Sequence, residues 1–242
     1  MEVVMHTAIA TDLSAVEPGK PEPMQLLRLL QLASPTLPVG AYAYSQGLEH
    51  AIDQQWLVDA ESTQKWIIGV MQHNMAYVDL PIFSRLYSAK AKKQEDEFAY
   101  WNQYLLASRE SSELQKEDLH LGNALLQLLS DLGIESASAL IDQSTSFAAA
   151  FALASVHWNL GLEDCATALL WSWSDNQVAA AIKLVPLGQT AGQRILVQCM
   201  EHIPGSVSKG LSLTDEDIGF SSPALAIGSA HHELQYSRLF RS

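Results

Sequence analysis

The residues best equipped for chemistry in this chain are two cysteines, eight histidines and a few clusters of carboxylates. Cys199 and His202 lie three apart, so on a helix they share a face and could hold a borderline metal together with Glu201 or a second subunit. Two ligands fall short of the four that a closed site takes, and a buried thiol beside a surface imidazole is the simpler reading. His231-His232-Glu233 offers adjacent imidazoles, which on a helix point about 100° apart and cannot both face one ion without distortion. Asp96-Glu97 and Asp215-Glu216-Asp217 read as helix-start charges rather than acid/base pairs. Gly188 to Arg194, GQTAGQR, has the glycines of a phosphate loop without its lysine, and reads as a tight turn and cap. Walker, dinucleotide, G-x-S-x-G and H-E-x-x-H patterns are absent. No active site is visible. Cys199, His202, His231 and His232 are the residues to weigh as metal ligands, and none is assigned.

The elements that would position these groups read as helices throughout. Residues 1–23 carry Pro18, Gly19, Pro21 and Pro23 with no apolar period, which suits a mobile tail outside the domain 24–242. Leu26, Leu27, Leu29, Leu30 and Leu32 suit a short helix stopped by Ser34-Pro35, and a second is expected from Tyr44 to about Gln54. Asp59 caps a third, in which Trp66, Ile67, Val70, Met71, Met75 and Val78 recur at three- and four-residue intervals. Asp79-Leu80-Pro81 then restarts a helix, with proline in the first turn. Further helices are expected over Phe98–Ala107, Leu114–Leu132, Thr145–Leu160, Glu163–Lys183 and Thr190–Ile203. The Thr145 segment is Ala-rich and apolar all round, hence central. A loop from Pro204 to Ser221 precedes a last helical segment opened by Ser222-Pro223. The expectation is an all-α single-domain bundle of about ten helices.

Composition narrows the function. The chain has 242 residues, of which 48% are hydrophobic and 17% charged, so it can bury a sizeable core and has apolar surface left for partners. Twenty-seven acidic against fourteen basic residues leave a net charge of −13, a field that repels nucleic acid and anionic lipid. Two cysteines make no disulfide framework, and the N-terminus lacks the basic and apolar regions of a signal peptide. A cytoplasmic location is expected.

Four segments are more specific: Leu29–Glu49 (LLQLASPTLPVGAYAYSQGLE), Ser108–Leu129 (SRESSELQKEDLHLGNALLQLL), Ala179–Leu196 (AAAIKLVPLGQTAGQRIL) and Pro223–Ser242 (PALAIGSAHHELQYSRLFRS). In order and spacing they resemble the urease accessory protein F family, UreF, from about Met24 onward. Ala226 and His231 depart from it, standing where many members carry Asp and Arg. The resemblance implies an all-helical, dimeric scaffold with no enzymatic activity and no cofactor of its own. It would join the D-type (H-type) accessory protein and the GTPase G, and then urease apoprotein, with nickel and GTP handled by the assembled complex. A direct nickel-binding chaperone using Cys199, His202, His231 or His232 is the alternative, and a small all-α enzyme a more distant one.

Three segments carry the expected partner-binding residues. In Pro35–Gln46, prolines pre-set the chain and Tyr42 and Tyr44 offer aromatic area at low entropic cost to a partner or a second copy, or else simply cover the first helices. Around the Pro186 break, Lys183, Gln189, Thr190, Gln193 and Arg194 form a candidate surface for the GTPase in a chain where cations are scarce. At the C-terminal end of the docking segment, about 223–242, Glu233, Gln235, Tyr236, Arg238, Leu239, Phe240 and Arg241 combine aromatic, aliphatic and cationic groups. The D-type (H-type) protein is the family's candidate for that segment, and the alternative is that the tail folds back on its own domain. If the segment is helical, Tyr236 and Phe240 share a face.

Overall fold

Apolar spacing folds as helix throughout the computed structural model, which describes residues 22–219 and 222–242. Among the described residues there are eleven α-helical segments and no strand. They are α1 (Pro23–Leu32), α2 (Leu48–Asp53), α3 (Ala60–Val70), α4 (Leu80–Ala91), α5 (Glu95–Ala107), α6 (Ser112–Asp131), α7 (Glu135–Ser138), α8 (Phe147–His157), α9 (Leu162–Leu184), α10 (Gln189–Ser212) and α11 (Pro223–His232). The tail expected over residues 1–23 lies outside the described residues except for Glu22 and Pro23, and Pro23 already opens α1.

The core is organised around α8, whose residues Ala148 to Ser155 are all buried, and which packs against α4 and α6. Phe151 meets Phe83 edge-on at 5.9 Å between ring centroids. A helix start this deep must satisfy its own N–H groups without water. Ser146 Oγ accepts from Ala149 N at 3.2 Å, Asn102 Oδ1 from Ser146 N at 2.8 Å, and Asp118 Oδ1 from Phe147 N at 2.7 Å. Gly122 on α6 lets that start come close, since a Cβ there would lie 2.1 Å from the Thr145 carbonyl oxygen.

Two expected boundaries are corrected. The helix expected to stop before Asp79 and restart at Pro81 is one rod, because Met71–Asp79 joins α3 to α4 in wider π turns. Pro81 has no N–H for the Tyr77 carbonyl four residues back, and the Gly219 N–H serves that carbonyl instead at 3.1 Å. The loop expected to begin at Pro204 is helix as far as Ser212. Ile203, Ser206, Val207 and Gly210 are buried there, and a Cβ on Gly210 would lie 2.6 Å from that of Leu80, so packing against the α3–α4 rod overrides the proline. Smaller differences fall at turns. The second helix begins at Leu48 rather than Tyr44, after two left-handed residues, Gln46 and Gly47, and the chain leaves helix at His232. No helix of the described residues is long and apolar enough to cross a membrane.

Candidate partner-docking site

Residues 233–242 leave α11 without regular structure and return across the start of α2, where buried carboxylates hold them. Helix α11 reaches α2 through a close glycine contact, a Cβ on Gly47 being only 2.8 Å from Ser229 N. That approach brings His232, fully buried, between two acids. Its Nε2 lies 3.0 Å from Glu49 Oε2 and its Nδ1 2.7 Å from Glu113 Oε2, so each ring nitrogen has a carboxyl partner. Glu113 also accepts from Arg238 Nη1 at 2.6 Å. Two carboxyl groups thus share one imidazole and one guanidinium as hydrogen-bonding neighbours, the partnering that buried polar groups require.

Glu49 is the centre of the clasp. Its Oε1 accepts from Leu239 N at 2.6 Å and its Oε2 from Phe240 N at 2.9 Å, in addition to His232. The last residue is tied as well. The Ser242 main-chain oxygen accepts from Ser45 N, Gln46 N and Ser45 Oγ, at 2.8, 3.1 and 2.6 Å. Ser242 Oγ donates to Glu117 Oε2 at 2.7 Å, while Gln46 Nε2 donates to Glu117 Oε1 at 2.8 Å. Burial pushes the Glu117 carboxyl up to about 7, against the hydrogen bonds from Ser242 and Gln46.

The clasp brings the three expected segments to one region. Phe240 is 5% exposed and packs with Leu48, Ala51, Leu57, Ala180 and Ala181, close to Leu184 at the end of α9 and Leu187 in the turn to α10. Lys183 Nζ stands 5.6 Å from the centre of its ring. The Pro35–Gln46 segment is pinned from α9, where Trp173 Nε1 donates to Gln46 Oε1 and Asn176 Nδ2 to the Ala41 carbonyl.

Individual residues separate sharply. Tyr42 is 68% exposed, whereas Tyr44 is 6% exposed and packs in the core near the His120 ring, which corrects the expectation of a partner-facing Tyr44. Lys183, Gln189, Thr190, Gln193 and Arg194 are exposed. Tyr236, Leu239 and Arg241 are exposed, as is the neighbouring Leu234. Glu233 accepts from the Ser112 hydroxyl, Gln235 is half-buried, and Arg238 reaches back to Glu113. Phe240 faces inward, so it does not share an exposed helical face with Tyr236, and the segment is not helical.

The residues weighed as metal ligands have other surroundings. Cys199 is fully buried and its thiol is pushed up to about 11 by desolvation. His202 Nδ1 lies 3.2 Å from Gln72 Nε2. His231 stacks on His50 at 5.4 Å, and that neighbour together with burial lowers the His50 pKa, burial being the larger cause. Among the described residues no three His, Cys, Asp or Glu side chains are grouped so as to hold a metal.

Sequence reasoning passed over Glu49, Glu113 and Glu117. A signal existed for the last two, because Glu113 and Glu117 fall in the stripe of Leu114, Leu121 and Leu125 on α6, where a carboxylate needs a buried partner.

Residues 57–200 match the family model UreF. The chain is 49% identical over 218 residues to the urease accessory protein UreF of Teredinibacter turnerae, covering 90% of this chain and 99% of the relative. It is 47% identical over 216 residues to the protein of that name in Alkalilimnicola ehrlichii, covering 89% and 95%. To the Marinomonas protein it is 42% identical over the full length of both. The chain belongs to the UreF family. In this UreF chain, buried carboxylates hold the last ten residues against the helical domain.

Proposed function

We propose that this urease accessory protein is a scaffold without enzymatic activity, a cytoplasmic homodimer bridging the D-type (H-type) accessory protein and the GTPase G. Nickel is the cargo for urease apoprotein and GTP the fuel of the complex. The observation that carries this reading is an ordered segment that holds apolar side chains in solvent. Leu234, Tyr236 and Leu239 face solvent on a stretch that buried charges clamp on either side. Exposed apolar groups held in fixed geometry lose little entropy on docking, which is how a small hot spot forms. The D-type partner is assigned to that segment. Lys183 and the exposed residues of the α9–α10 turn, adjoining it through Phe240, are assigned to the GTPase. A second copy is assigned to α1, which exposes Met24, Leu26, Leu27 and Leu30.

Co-purification tests the first assignment. Tyr236→Ala with Leu239→Ala is expected to leave the helical circular dichroism unchanged and to abolish capture of the D-type protein. Full retention of the complex would refute the docking role. Lys183→Glu is expected to lower GTPase recruitment and urease activation, and unchanged recruitment by a folded variant removes that assignment.

A further inference from the structure

A cavity of about 180 Å³ opens beside the clasp, between α6, α9, the end of the π turns and the loop carrying Arg109. An engineered apolar cavity of roughly 150 Å³ admits benzene, so this one has room for a small organic group. Its polar lining combines acids with amides and hydroxyls, Gln46, Asn74 and Asn176 among them. Asp79, Glu117, Asp118 and Asp175 line it together with Arg109 and the indole of Trp173.

Arg109 does not balance that set. Its Nη2 lies 2.7 Å from Asp79 Oδ1 and 2.8 Å from Asp118 Oδ2, so one cation serves two buried acids. Asp118 spends its other oxygen on the start of α8. The other oxygen of Asp79, a residue only 5% exposed, is buried without a hydrogen-bond partner among the described residues. Proteins rarely leave a carboxylate oxygen in that condition. Burial also raises the Asp175 carboxyl, for which no hydrogen bond or ion pair occurs among the described residues. The lining therefore carries surplus acceptors and surplus negative charge. An aromatic wall favours an organic cation by cation–π attraction, and no group of side chains here suits a metal ion.

We propose that this cavity binds one organic cation of the guanidinium or alkylammonium class, with Asp79 and Asp175 accepting its N–H groups and Trp173 as its apolar wall. The site is independent of the scaffold reading. Such a cation donates several hydrogen bonds from one charge, which is what an unpaired buried carboxylate oxygen requires. Its position also matters, because Glu117 belongs to the cavity wall and to the anchor of Ser242.

Titration calorimetry of the full chain with ethylguanidinium chloride tests the site. Saturable one-to-one binding is expected, with N-ethylurea, the same shape without the charge, about tenfold weaker or worse. Asp175→Asn removes a carboxylate that no neighbour uses, so the variant is expected to fold and to lose about tenfold in ethylguanidinium affinity. Asp79→Asn is expected to lose as much, and Asp175→Asn decides alone should Asp79→Asn unfold. No binding by the wild type, equal binding of N-ethylurea, or unchanged affinity in Asp175→Asn overturns the proposal. N-acetylarginine methylamide distinguishes the sources of the cation. Binding comparable to ethylguanidinium supports a side chain carried in by another protein, and ethylguanidinium binding alone supports a free small molecule.

Discussion

Helix α8 and the segment 233–242 are both largely fixed in place, by opposite means. Helix α8 is buried on every side and needs polar groups only at its start, where Asn102, Ser146 and Asp118 satisfy its first N–H groups. The terminal segment has one buried apolar anchor, Phe240, and otherwise depends on Glu49, Glu113 and Glu117. Apolar burial is non-directional and shared among many contacts, so it resists single changes unless they alter shape. A clasp of few directional bonds can be undone one residue at a time. Tolerance of single changes belongs to the first region, and sensitivity to them to the second.

The sharpest way to break the α8 side is steric. Gly122→Ala would ordinarily favour a helix by up to about 1 kcal/mol. Here the added Cβ would meet the Thr145 carbonyl oxygen at 2.1 Å and the Ser146 carbonyl carbon at 2.7 Å, and neither backbone atom can yield without moving the α8 start. The variant is expected to lose roughly 3 kcal/mol or more, or to fail to fold, and chemical denaturation measures it. A stability equal to wild type would show that the α6–α8 approach is looser than its geometry.

Glu117 bears on both regions, since it anchors Ser242 from within the core-facing stripe of α6. Below pH 4.5 its carboxyl is protonated in folded and unfolded chains alike. As pH rises, the unfolded chain ionises first, and the folded chain follows only at about 7. The protonated folded form is the favoured one, so this group's contribution is fully present below 4.5 and is lost as pH rises through about 7, to a total of up to roughly 3 kcal/mol. Glu117→Gln is expected to match wild type near pH 5 and to exceed it in stability at pH 8, because the amide retains acceptance from Gln46 and the Ser242 hydroxyl can turn to accept from it. Parallel pH profiles for the two proteins would remove Glu117 from this account.

Much of the fold was legible in the sequence because its information is local. Apolar spacing, Asp59, Ser222-Pro223 and the Ala-rich run located the helices to within a few residues. The exceptions had tertiary causes: Pro204 stays inside α10 because its neighbours pack on the α3–α4 rod, and Pro81 continues a helix because Gly219 serves the Tyr77 carbonyl. The candidate site was half legible. Segments with exposed side chains could be picked by composition, but Glu49 pairs with His232, Leu239 and Phe240 from more than 180 residues away, and no local pattern announces such a bond.

Glu49→Gln tests the clasp without changing its shape. Either the Leu239 N–H, or the Phe240 N–H together with His232, then faces an amide NH2 that cannot accept, and an unsatisfied buried donor costs about 1–3 kcal/mol. The loss has a ceiling, however, because the segment can detach while the helical core stays folded. Hydrogen exchange at the Leu239 and Phe240 amides is therefore expected to accelerate strongly, with a smaller change in global unfolding. Uniform acceleration across α8 as well would mean that the two regions unfold as one.

The smallest effect is expected at the exposed member of two neighbours that differ widely in burial. Phe240 is 5% exposed and Leu239 is 66% exposed, although they are adjacent and Glu49 holds both backbone N–H groups. Phe240→Ala removes an aromatic side chain packed on Leu48 and Ala181 and its contact with Lys183. Its cost is capped at the free energy that holds the segment down, so exchange at residues 239–242 should approach that of a detached chain end. Leu239→Ala leaves the bond from its backbone to Glu49 intact and removes only a side chain already in water. Its stability is expected to stay within about 0.5 kcal/mol of wild type, with unchanged exchange at Phe240. Any binding defect in Leu239→Ala then reports lost contact with a partner and not a displaced segment. Accelerated exchange at Phe240 in Leu239→Ala would instead show that the exposed leucine helps to hold the clasp.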